Sequence, residues 1–228
     1  MSLILIGHGR MGRLVEQYAV AHDWTIAGIV TAETGPELLE SDDLNDVEVA
    51  IDFSVASAVK NNLARVAERG WNIVIGTTGW QKDEAECREI AEQGGIGVIA
   101  SANFSIGMNV FRRIVEDAAR RFGAMPDVGA WIHEKHHRMK KDAPSGTALM
   151  LEDAMGQAGY PRPIDMSSAR AGSIPGTHEV GVDAATETVT LTHTTRDRAV
   201  FAHGALEAAR WIKGRRGWFT VDDMIDEL

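Results

Sequence analysis

The stretch from His133 to Ala148 carries the residue types best suited to chemistry in this chain. It contains three histidines, four basic side chains and a Pro-Ser-Gly-Thr turn, in a chain whose formal net charge is −10. An acidic protein that binds a carboxylate or phosphate needs a local reversal of its own field, so the pattern indicates a bound anion. The alternative is a solvated basic face, but such a face has no need of the turn that follows.

Different side chains of this stretch suit different parts of that task. Arg138, Lys140 and Lys141 supply positive charge. His136 and His137 titrate near neutral pH and can move protons. The stretch therefore predicts both an anion site and a source of protons.

The turn at residues 142–146 is followed by a helical pattern that begins at Thr147. Proline fixes one backbone dihedral of such a turn and glycine frees another. The backbone N–H groups of Gly146 and Thr147 would then lie at a helix start, where an anion is stabilised. We expect these two amides to contribute to the anion site.

The same stretch satisfies the H-E-x-x-H pattern from His133 to His137, which binds zinc when it lies on a helix. Here the alternation of Val128, Ala130 and Ile132 predicts that the motif is entered as a strand. On a strand the two end histidines lie too far apart to share a metal ion. We therefore predict no metal site.

A glycine-rich loop near the amino terminus follows the apolar strand Leu3–Ile6 and precedes an amphipathic helix. Strand, G-x-G-x-x-G and helix is the order that a dinucleotide site requires. Gly7 allows the tight turn, Gly9 lets the backbone approach a pyrophosphate, and Gly12 lets helix and strand pack closely. The predicted cofactor-binding loop comprises Gly7, His8, Gly9, Arg10, Met11 and Gly12.

The residue after the second predicted strand, Trp24–Val30, is expected to lie at the adenosine ribose. NAD-specific sites place an acidic residue there. Thr31 occupies the position here and would not repel a 2′-phosphate, and Arg10 and Arg13 lie near enough to meet one. The sequence therefore favours NADPH as the cofactor, or the use of both NADPH and NADH.

Further strands at 47–53, 72–75 and 96–100 alternate with helical patterns. This alternation predicts an α/β fold with a Rossmann-like, doubly wound parallel sheet, whose ligands lie beyond the carboxyl ends of the strands. The loops after the last two strands add candidate cofactor-binding residues: Gly76, Thr77, Thr78, Ser101, Ala102, Asn103 and Phe104.

The pattern changes after Ser105. An amphipathic helix over 108–122 leads to the basic stretch, residues 160–178 have the composition of an extended loop, and 187–194 alternates as a half-exposed strand. We predict an inserted α+β domain at 105–204, which binds substrate, within a dinucleotide-binding domain formed by 1–104 and 205–228.

Composition excludes several classes of protein. Hydrophobic residues make up 44% of the chain, yet no apolar run approaches the roughly 20 residues that span a bilayer, and the opening residues lack a basic leader. The one cysteine, Cys87, fits a reducing compartment, so we expect a cytoplasmic protein without a membrane partner. The net charge argues against nucleic acid as a partner.

These motifs together resemble the 4-hydroxy-tetrahydrodipicolinate reductase (dihydrodipicolinate reductase) family, over the whole chain. The resemblance implies reduction of the cyclic product of the preceding synthase to tetrahydrodipicolinate by NADH or NADPH, with loss of water, in lysine and diaminopimelate biosynthesis. The segments that carry it are 7–12, 76–79, 102–105, 136–140, 142–148, 170–178 and 201–205.

The resemblance also implies a role for individual residues. His136 corresponds to the general acid/base and Lys140 to the proton donor, while His137 and the Gly146 and Thr147 amides would bind the carboxylates of a small dicarboxylate substrate. The loops at 7–12, 76–78 and 101–104 would line the cofactor. A homotetramer associating through sheets of the inserted domain is implied as well, and the half-exposed strand at 187–194 fits it.

Two other functions share part of this pattern. One is another Rossmann-type dehydrogenase, acting on an amino-acid semialdehyde or on aspartate, which has no evident need for the paired histidines beside Lys140. The other is a dinucleotide sensor without turnover, which needs no proton-donating cluster. Cofactor oxidation with the synthase product would distinguish the reductase from both.

Overall fold

The computed structural model describes residues 1–227, and the chain divides into two compact units. The first is formed by Met1–Ile106 together with Ala199–Leu228, and the second by Gly107–Arg198. The predicted return to the first domain, at 205, falls inside a helix that belongs wholly to the first unit.

Ten strands and seven α-helices run through the described residues. In chain order the strands are β1 (Ser2–Ile6), β2 (Thr25–Val30), β3 (Val49–Asp52), β4 (Asn72–Ile75), β5 (Gly97–Ala100), β6 (Gly129–His136), β7 (Ile164–Arg170), β8 (Gly176–Asp183), β9 (Thr188–Thr195) and β10 (Gly217–Phe219). The helices are α1 (Arg10–Ala19), α2 (Val59–Glu68), α3 (Glu84–Gly94), α4 (Ile106–Gly123), α5 (Gly146–Gln157), α6 (Ala199–Ile212) and α7 (Val221–Ile225).

The first unit is built on a six-stranded sheet in the order β10-β5-β4-β3-β1-β2, and every pair in it is parallel. β3 and β4 are buried at every residue because apolar clusters cover both faces of the sheet. This confirms the predicted doubly wound, Rossmann-like fold. β10 was not predicted because a segment of three residues is too short to show a pattern.

β1 lies between β2 and β3, so the chain leaves it first toward one edge of the sheet and then returns to the other side. Loops at such a reversal diverge and leave a crevice beyond the carboxyl ends of the strands, where ligands bind in this class of fold. The glycine-rich loop follows β1 directly and therefore borders this crevice.

The second unit contains a four-stranded sheet in the order β7-β6-β8-β9. β6 pairs parallel with β7 and antiparallel with β8, and β8 pairs antiparallel with β9. One face packs on α4 and α5 through an apolar cluster that includes Phe111, Ile132 and Leu151. This mixed sheet with helices on one face confirms the predicted α+β character of the second unit.

The expectation of an extended loop over 160–178 was wrong. Residues Ile164–Arg170 and Gly176–Asp183 form β7 and β8, with a short connection between them. β7 is an edge strand with polar residues such as Ser167 and Ser168, and its flanking prolines and glycines resemble loop composition. An edge strand buries little apolar surface, so its sequence gives little sign of it.

Within residues 1–227, no helix combines the length and the apolar character needed to cross a lipid bilayer.

Candidate active site

The glycine-rich loop has the geometry that its sequence predicts. Gly7 has a φ of +91° and donates its N–H to the Val30 carbonyl at 2.9 Å. A Cβ at Gly7 would collide with the backbone of Phe53, and one at Gly12 would collide with the Gly7 carbonyl. Glycine is therefore required at both positions, for the turn itself and for the close packing of α1.

A cavity of about 630 Å³ opens at the carboxyl ends of β1, β2 and β3. This volume is typical of a site for a small organic ligand or part of a dinucleotide. Four of the predicted cofactor-binding residues, Gly7, His8, Gly9 and Thr31, line it, whereas Arg10, Met11 and Gly12 form the first turn of α1. Lining residues that were not predicted include Phe53, Ser54, Val55, Ala58 and Asn62.

Thr31 lines the cavity, but its hydroxyl already accepts hydrogen bonds from backbone N–H groups. Its Oγ1 accepts hydrogen bonds from the N–H groups of Glu33 (3.1 Å) and Thr34 (3.2 Å). Its own N–H donates to Thr34 Oγ1 at 2.8 Å. The hydroxyl therefore shapes the loop after β2, and Glu33 and Arg13 are the charged residues that line the same cavity.

Asp52, at the end of β3, organises the loops around this cavity and was not predicted. Its buried carboxylate accepts from the Ser54 N–H (2.8 Å), Asn62 Nδ2 (2.9 Å) and Thr77 Oγ1 (2.8 Å). A charged residue closing an otherwise apolar strand was the signal that could have found it. Ser54 and Asn62 both line the cavity, so Asp52 fixes part of its wall.

The loops after β4 and β5 make contacts within the first unit. Within the part of the chain that the structure describes, none of the predicted residues 76–78 and 101–104 lines the cavity. Thr77 is buried, and its carbonyl accepts from Trp80 Nε1 at 2.8 Å. The Phe104 side chain packs in the apolar core of the first unit, and Asn103 Oδ1 accepts from the Ser105 N–H at 2.9 Å.

In the second unit the central feature is Glu134, which is fully buried on β6. Its carboxylate accepts from Arg170 Nη1 and Nη2 at 2.7 and 2.6 Å, and from the Ser145 N–H at 3.1 Å. It also lies 2.5 Å from His136 Nδ1. Sequence reasoning noted this glutamate only as part of the zinc pattern.

The charge on Glu134 follows from these partners. Burial alone would raise the pKa of this carboxyl, but hydrogen bonds from Arg170, Ser168 and His136 outweigh it and lower the pKa to about 2. Glu134 is therefore ionised at neutral pH, and its ion pair with Arg170 satisfies the buried charge.

His136 lies at the end of β6, in register with Arg170 on β7. Burial lowers its pKa below the ordinary value for histidine, although the hydrogen bond to Glu134 opposes that shift. The ring of His178, on β8, stands edge-on to it with centroids 5.1 Å apart. Burial, and then the electrostatic interaction with His136, lower the pKa of His178 to about 4, so both imidazoles are neutral at neutral pH.

Helix α5 begins at Gly146, which confirms the predicted helix start. Ser145 is its N-cap: its Oγ accepts from the Ala148 N–H at 3.2 Å and lies 2.9 Å from His178 Nε2. Gly146 and Thr147 are thus the first two residues of the helix, and they lie at the solvent-accessible end of α5.

Lys140 lies near this helix start and forms an ion pair with Asp142, with Nζ 2.9 Å from Oδ2. The hydrogen bond from Lys140 lowers the pKa of Asp142, and the Gly146 N–H also contributes. The Asp142 carboxylate therefore interacts with both the Lys140 ammonium and the Gly146 N–H at the helix start. His137 and Lys141 are exposed.

The zinc pattern does not have helical geometry. His133 and His136 both belong to β6, and His133 Nδ1 lies 2.7 Å from Ser167 Oγ. Across residues 1–227 no group of histidine, cysteine and acidic side chains is arranged to hold a metal ion.

Comparison with known proteins accounts for nearly the whole chain. Residues 1–104 match the family model described as "Dihydrodipicolinate reductase, N-terminus", and residues 107–225 match "Dihydrodipicolinate reductase, C-terminus". These two matches meet close to the boundary between the two units.

Curated relatives and a solved structure agree with these matches. A 4-hydroxy-tetrahydrodipicolinate reductase of Christiangramia forsetii is 34% identical over 241 residues, covering 100% of this chain and 99% of that protein. One from Caldanaerobacter subterraneus is 34% identical over 250 residues, covering 99% and 98%. A dipicolinate-bound dihydrodipicolinate reductase from Paenisporosarcina sp. TG-14 has the same fold, with a TM-score of 0.79 at 20% identity, covering 96% of this chain and 97% of that one.

Proposed function

Since this chain belongs to the dihydrodipicolinate reductase family, we propose which of its residues bind the cofactor, bind the substrate and transfer protons. The chain is an oxidoreductase that uses NADH or NADPH to reduce 4-hydroxy-tetrahydrodipicolinate, a step of lysine and diaminopimelate biosynthesis. The main support for these roles is that an ionised Glu134, a neutral His136 and the capped start of α5 are joined by direct hydrogen bonds.

The cavity beyond β1–β3 is proposed to hold the adenosine and pyrophosphate part of the dinucleotide. Gly7 and Gly9 let the backbone approach the pyrophosphate at the start of α1, and Thr31 and Arg13 lie toward the ribose. His8, Arg10 and Met11 complete the loop, and residues 76–78 and 101–104 extend the site along the same edge of the sheet. When bound, the reduced nicotinamide supplies a hydride.

The second unit is proposed to bind the two carboxylates of the substrate. Lys140, His137 and the N–H groups of Gly146 and Thr147 provide a cation, an imidazole and helix-start amides, which together favour an anion. The present contact of the Asp142 carboxylate with Lys140 supports this reading, because it is the same interaction that a substrate carboxylate would make. A planar pyridine dicarboxylate is the natural probe, since the Paenisporosarcina enzyme is described as dipicolinate bound.

The reaction adds a hydride and a proton to the substrate and releases one molecule of water. We assign proton donation to Lys140, whose ammonium carries a proton to give, and the general acid/base function to His136. Because His136 is neutral at neutral pH, it can accept the C–H proton that the substrate gives up as water is lost, while Lys140 protonates the leaving hydroxyl, and it can return its proton to the reduced product. In the loss of water Lys140 is therefore the proton donor, and His136 is the proton acceptor.

Assembly and location are proposed on separate grounds. One face of the second unit's sheet carries Trp131 together with Thr190 and Thr192 of β9, and the two threonines are exposed. Packing of this face against other copies would contribute to the homotetramer, four copies of the 24.8 kDa chain, whose mass light scattering would measure. A single buried cysteine, Cys87, is compatible with the cytoplasm.

A coupled assay tests the proposed function directly. The synthase product is supplied together with NADPH or NADH, and oxidation of the nicotinamide is followed by absorbance. Turnover is expected with this substrate and not with aspartate or an amino-acid semialdehyde. Turnover only with one of those substrates, or nucleotide binding without turnover, would contradict the proposal in favour of a different dehydrogenase or a sensor.

A further inference from the structure

Glu134 contacts β7, the start of α5 and a second residue of its own strand, β6. It holds both Nη atoms of Arg170 on β7, it accepts the backbone N–H of the α5 cap residue Ser145, and it holds Nδ1 of His136. One carboxylate therefore fixes the imidazole and the start of the helix together.

The ionisation of Glu134 determines which nitrogen of His136 carries the proton. An ionised carboxylate can only accept hydrogen bonds, so the 2.5 Å contact requires that Nδ1 of His136 be the donor. A neutral His136 then has its lone pair at Nε2. Among the described residues Nε2 has no hydrogen-bond partner, and the His136 side chain is 12% exposed.

Gly176, at the start of β8, leaves this nitrogen open. A Cβ at this position would lie 3.0 Å from His136 Nε2, closer than an ordinary contact. A side chain at 176 would therefore press on the nitrogen that the Glu134 contact leaves available. Glycine keeps that approach clear.

We propose that Glu134 is a positioning residue for the reduction: its carboxylate fixes His136 as the Nδ1–H tautomer, with Nε2 as the proton acceptor, and stabilises the imidazolium formed when Nε2 is protonated. The proposal deepens the function proposed above and rests on it. Aspartates and glutamates that orient a catalytic imidazole act in the same physical way.

Other charged groups near His136 act against that imidazolium. Besides burial, Lys140 in the loop after β6 and Arg170 on β7 lower the pKa of His136, and His178 on β8 is a second imidazole at close range. Glu134 is the acidic group that opposes them. Without it, His136 would be left in a buried and electropositive environment that disfavours protonation.

The tautomer can be measured on the unaltered protein. Long-range ¹H–¹⁵N spectra of histidine-labelled chain at pH 7.5 should show His136 with a protonated Nδ1 and an unprotonated Nε2, the signals being identified by their loss in His136→Gln. An Nε2–H tautomer would overturn the proposal. This measurement needs no substrate, so its outcome is independent of whether the coupled assay detects turnover.

Glu134→Gln tests the catalytic consequence. The neutral amide can donate to Nδ1, so the spectra should show a shift toward the Nε2–H tautomer. The kcat for the synthase product should fall by at least about tenfold. The acidic limb of the pH profile should move to lower pH, because the group that raises the pKa of His136 is gone.

The matched control is Glu179→Gln, which removes a carboxylate on the adjacent strand that pairs with Lys135 at 2.8 Å and does not contact His136. It should leave the tautomer and the acidic limb unchanged. If Glu134→Gln lowers kcat while the tautomer and the limb stay in place, the role of Glu134 is structural alone and the proposal is wrong.

Discussion

Single residues of the second unit have separable tasks. Lys140 is paired with an exposed carboxylate, Asp142, which a substrate can replace, whereas Glu134 is itself fully buried and bonded to Arg170 and Ser145. Exposed pairs contribute little to stability, while removal of one partner of a buried pair is costly. Substitutions at Lys140 should therefore affect chemistry with little effect on folding.

Lys140→Ala should lower kcat/KM for the substrate by about 100-fold or more, since it removes the proposed proton donor and a carboxylate contact. The dissociation constant of the nucleotide, measured by fluorescence, should stay nearly unchanged because Lys140 is assigned to the substrate. Lys141→Ala removes the same charge one residue away and serves as control. A nucleotide dissociation constant that rises in step with the lost activity would contradict this assignment.

Thr31→Glu tests the position of this residue at the adenosine ribose. A carboxylate would bind a 2′-hydroxyl and repel a 2′-phosphate, so the NADPH:NADH ratio of kcat/KM should fall by about tenfold, equivalent to ~1.4 kcal/mol. Thr31→Ser keeps the hydroxyl that accepts the Glu33 and Thr34 amides and should preserve the ratio. If the ratio stays the same in the glutamate variant, Thr31 does not face the ribose.

At the scale of elements, α5 depends on its first residues. Ser145 caps the helix, contacts His178 and donates its N–H to Glu134. The cap therefore ties the helix start to β6 and β8, and the proposed carboxylate-binding amides follow it directly. Their position is set by the packing of three elements, even though each amide is local to one.

Ser145→Ala should lower the free energy of unfolding by about 1–2 kcal/mol, because the cap is lost and the buried His178 loses its Nε2 partner. Urea titration followed by circular dichroism would measure it. The control Ser167→Ala removes an exposed hydroxyl on β7 and should change stability by less than about 0.5 kcal/mol. Equal stability of the two variants would show that the cap contributes nothing measurable.

At the scale of the whole molecule, buried groups make folding depend on pH, and Glu134 and His178 have large pKa shifts among them. Glu134 and His178 both have lowered pKa values in the folded chain, about 2 and about 4, against ordinary values of 4.5 and 6.5. In each case the unfolded chain binds a proton at a higher pH than the folded chain does. Each group therefore stabilises the fold above its unfolded pKa, and the contribution is lost on acidification.

Stability should fall as pH drops from about 6.5 to 4 because of His178, and again from about 4.5 to 2 because of Glu134. Urea midpoints measured across this range would show both declines. His178→Asn should make the first decline shallower, leaving the part due to His136 and His193, and should not change the second. An unchanged slope between pH 6.5 and 4 in that variant would assign the decline to other groups.

Local sequence was sufficient for features that depend on near neighbours. The glycine loop, the parallel sheet and the start of α5 follow from the backbone requirement at Gly7, from the Pro-Ser-Gly-Thr turn before α5 and from apolar runs such as Leu3–Ile6. Asp52 and Glu134 were missed because each is defined by partners far away in the chain, such as Thr77 and Arg170. Edge strands β7 and β10 were missed because they bury too little to leave a pattern.

The alternation along β6 has a consequence for length variation. Ala130, Ile132 and Glu134 point toward the buried face, with Trp131 and His133 on the other. Deleting one residue of β6 before Glu134 would turn every later side chain of the strand to the opposite face of the sheet. A neighbouring basic residue would then take the place of the carboxylate. We expect related sequences to differ in length at the turns, whereas the number of residues in β6 stays constant.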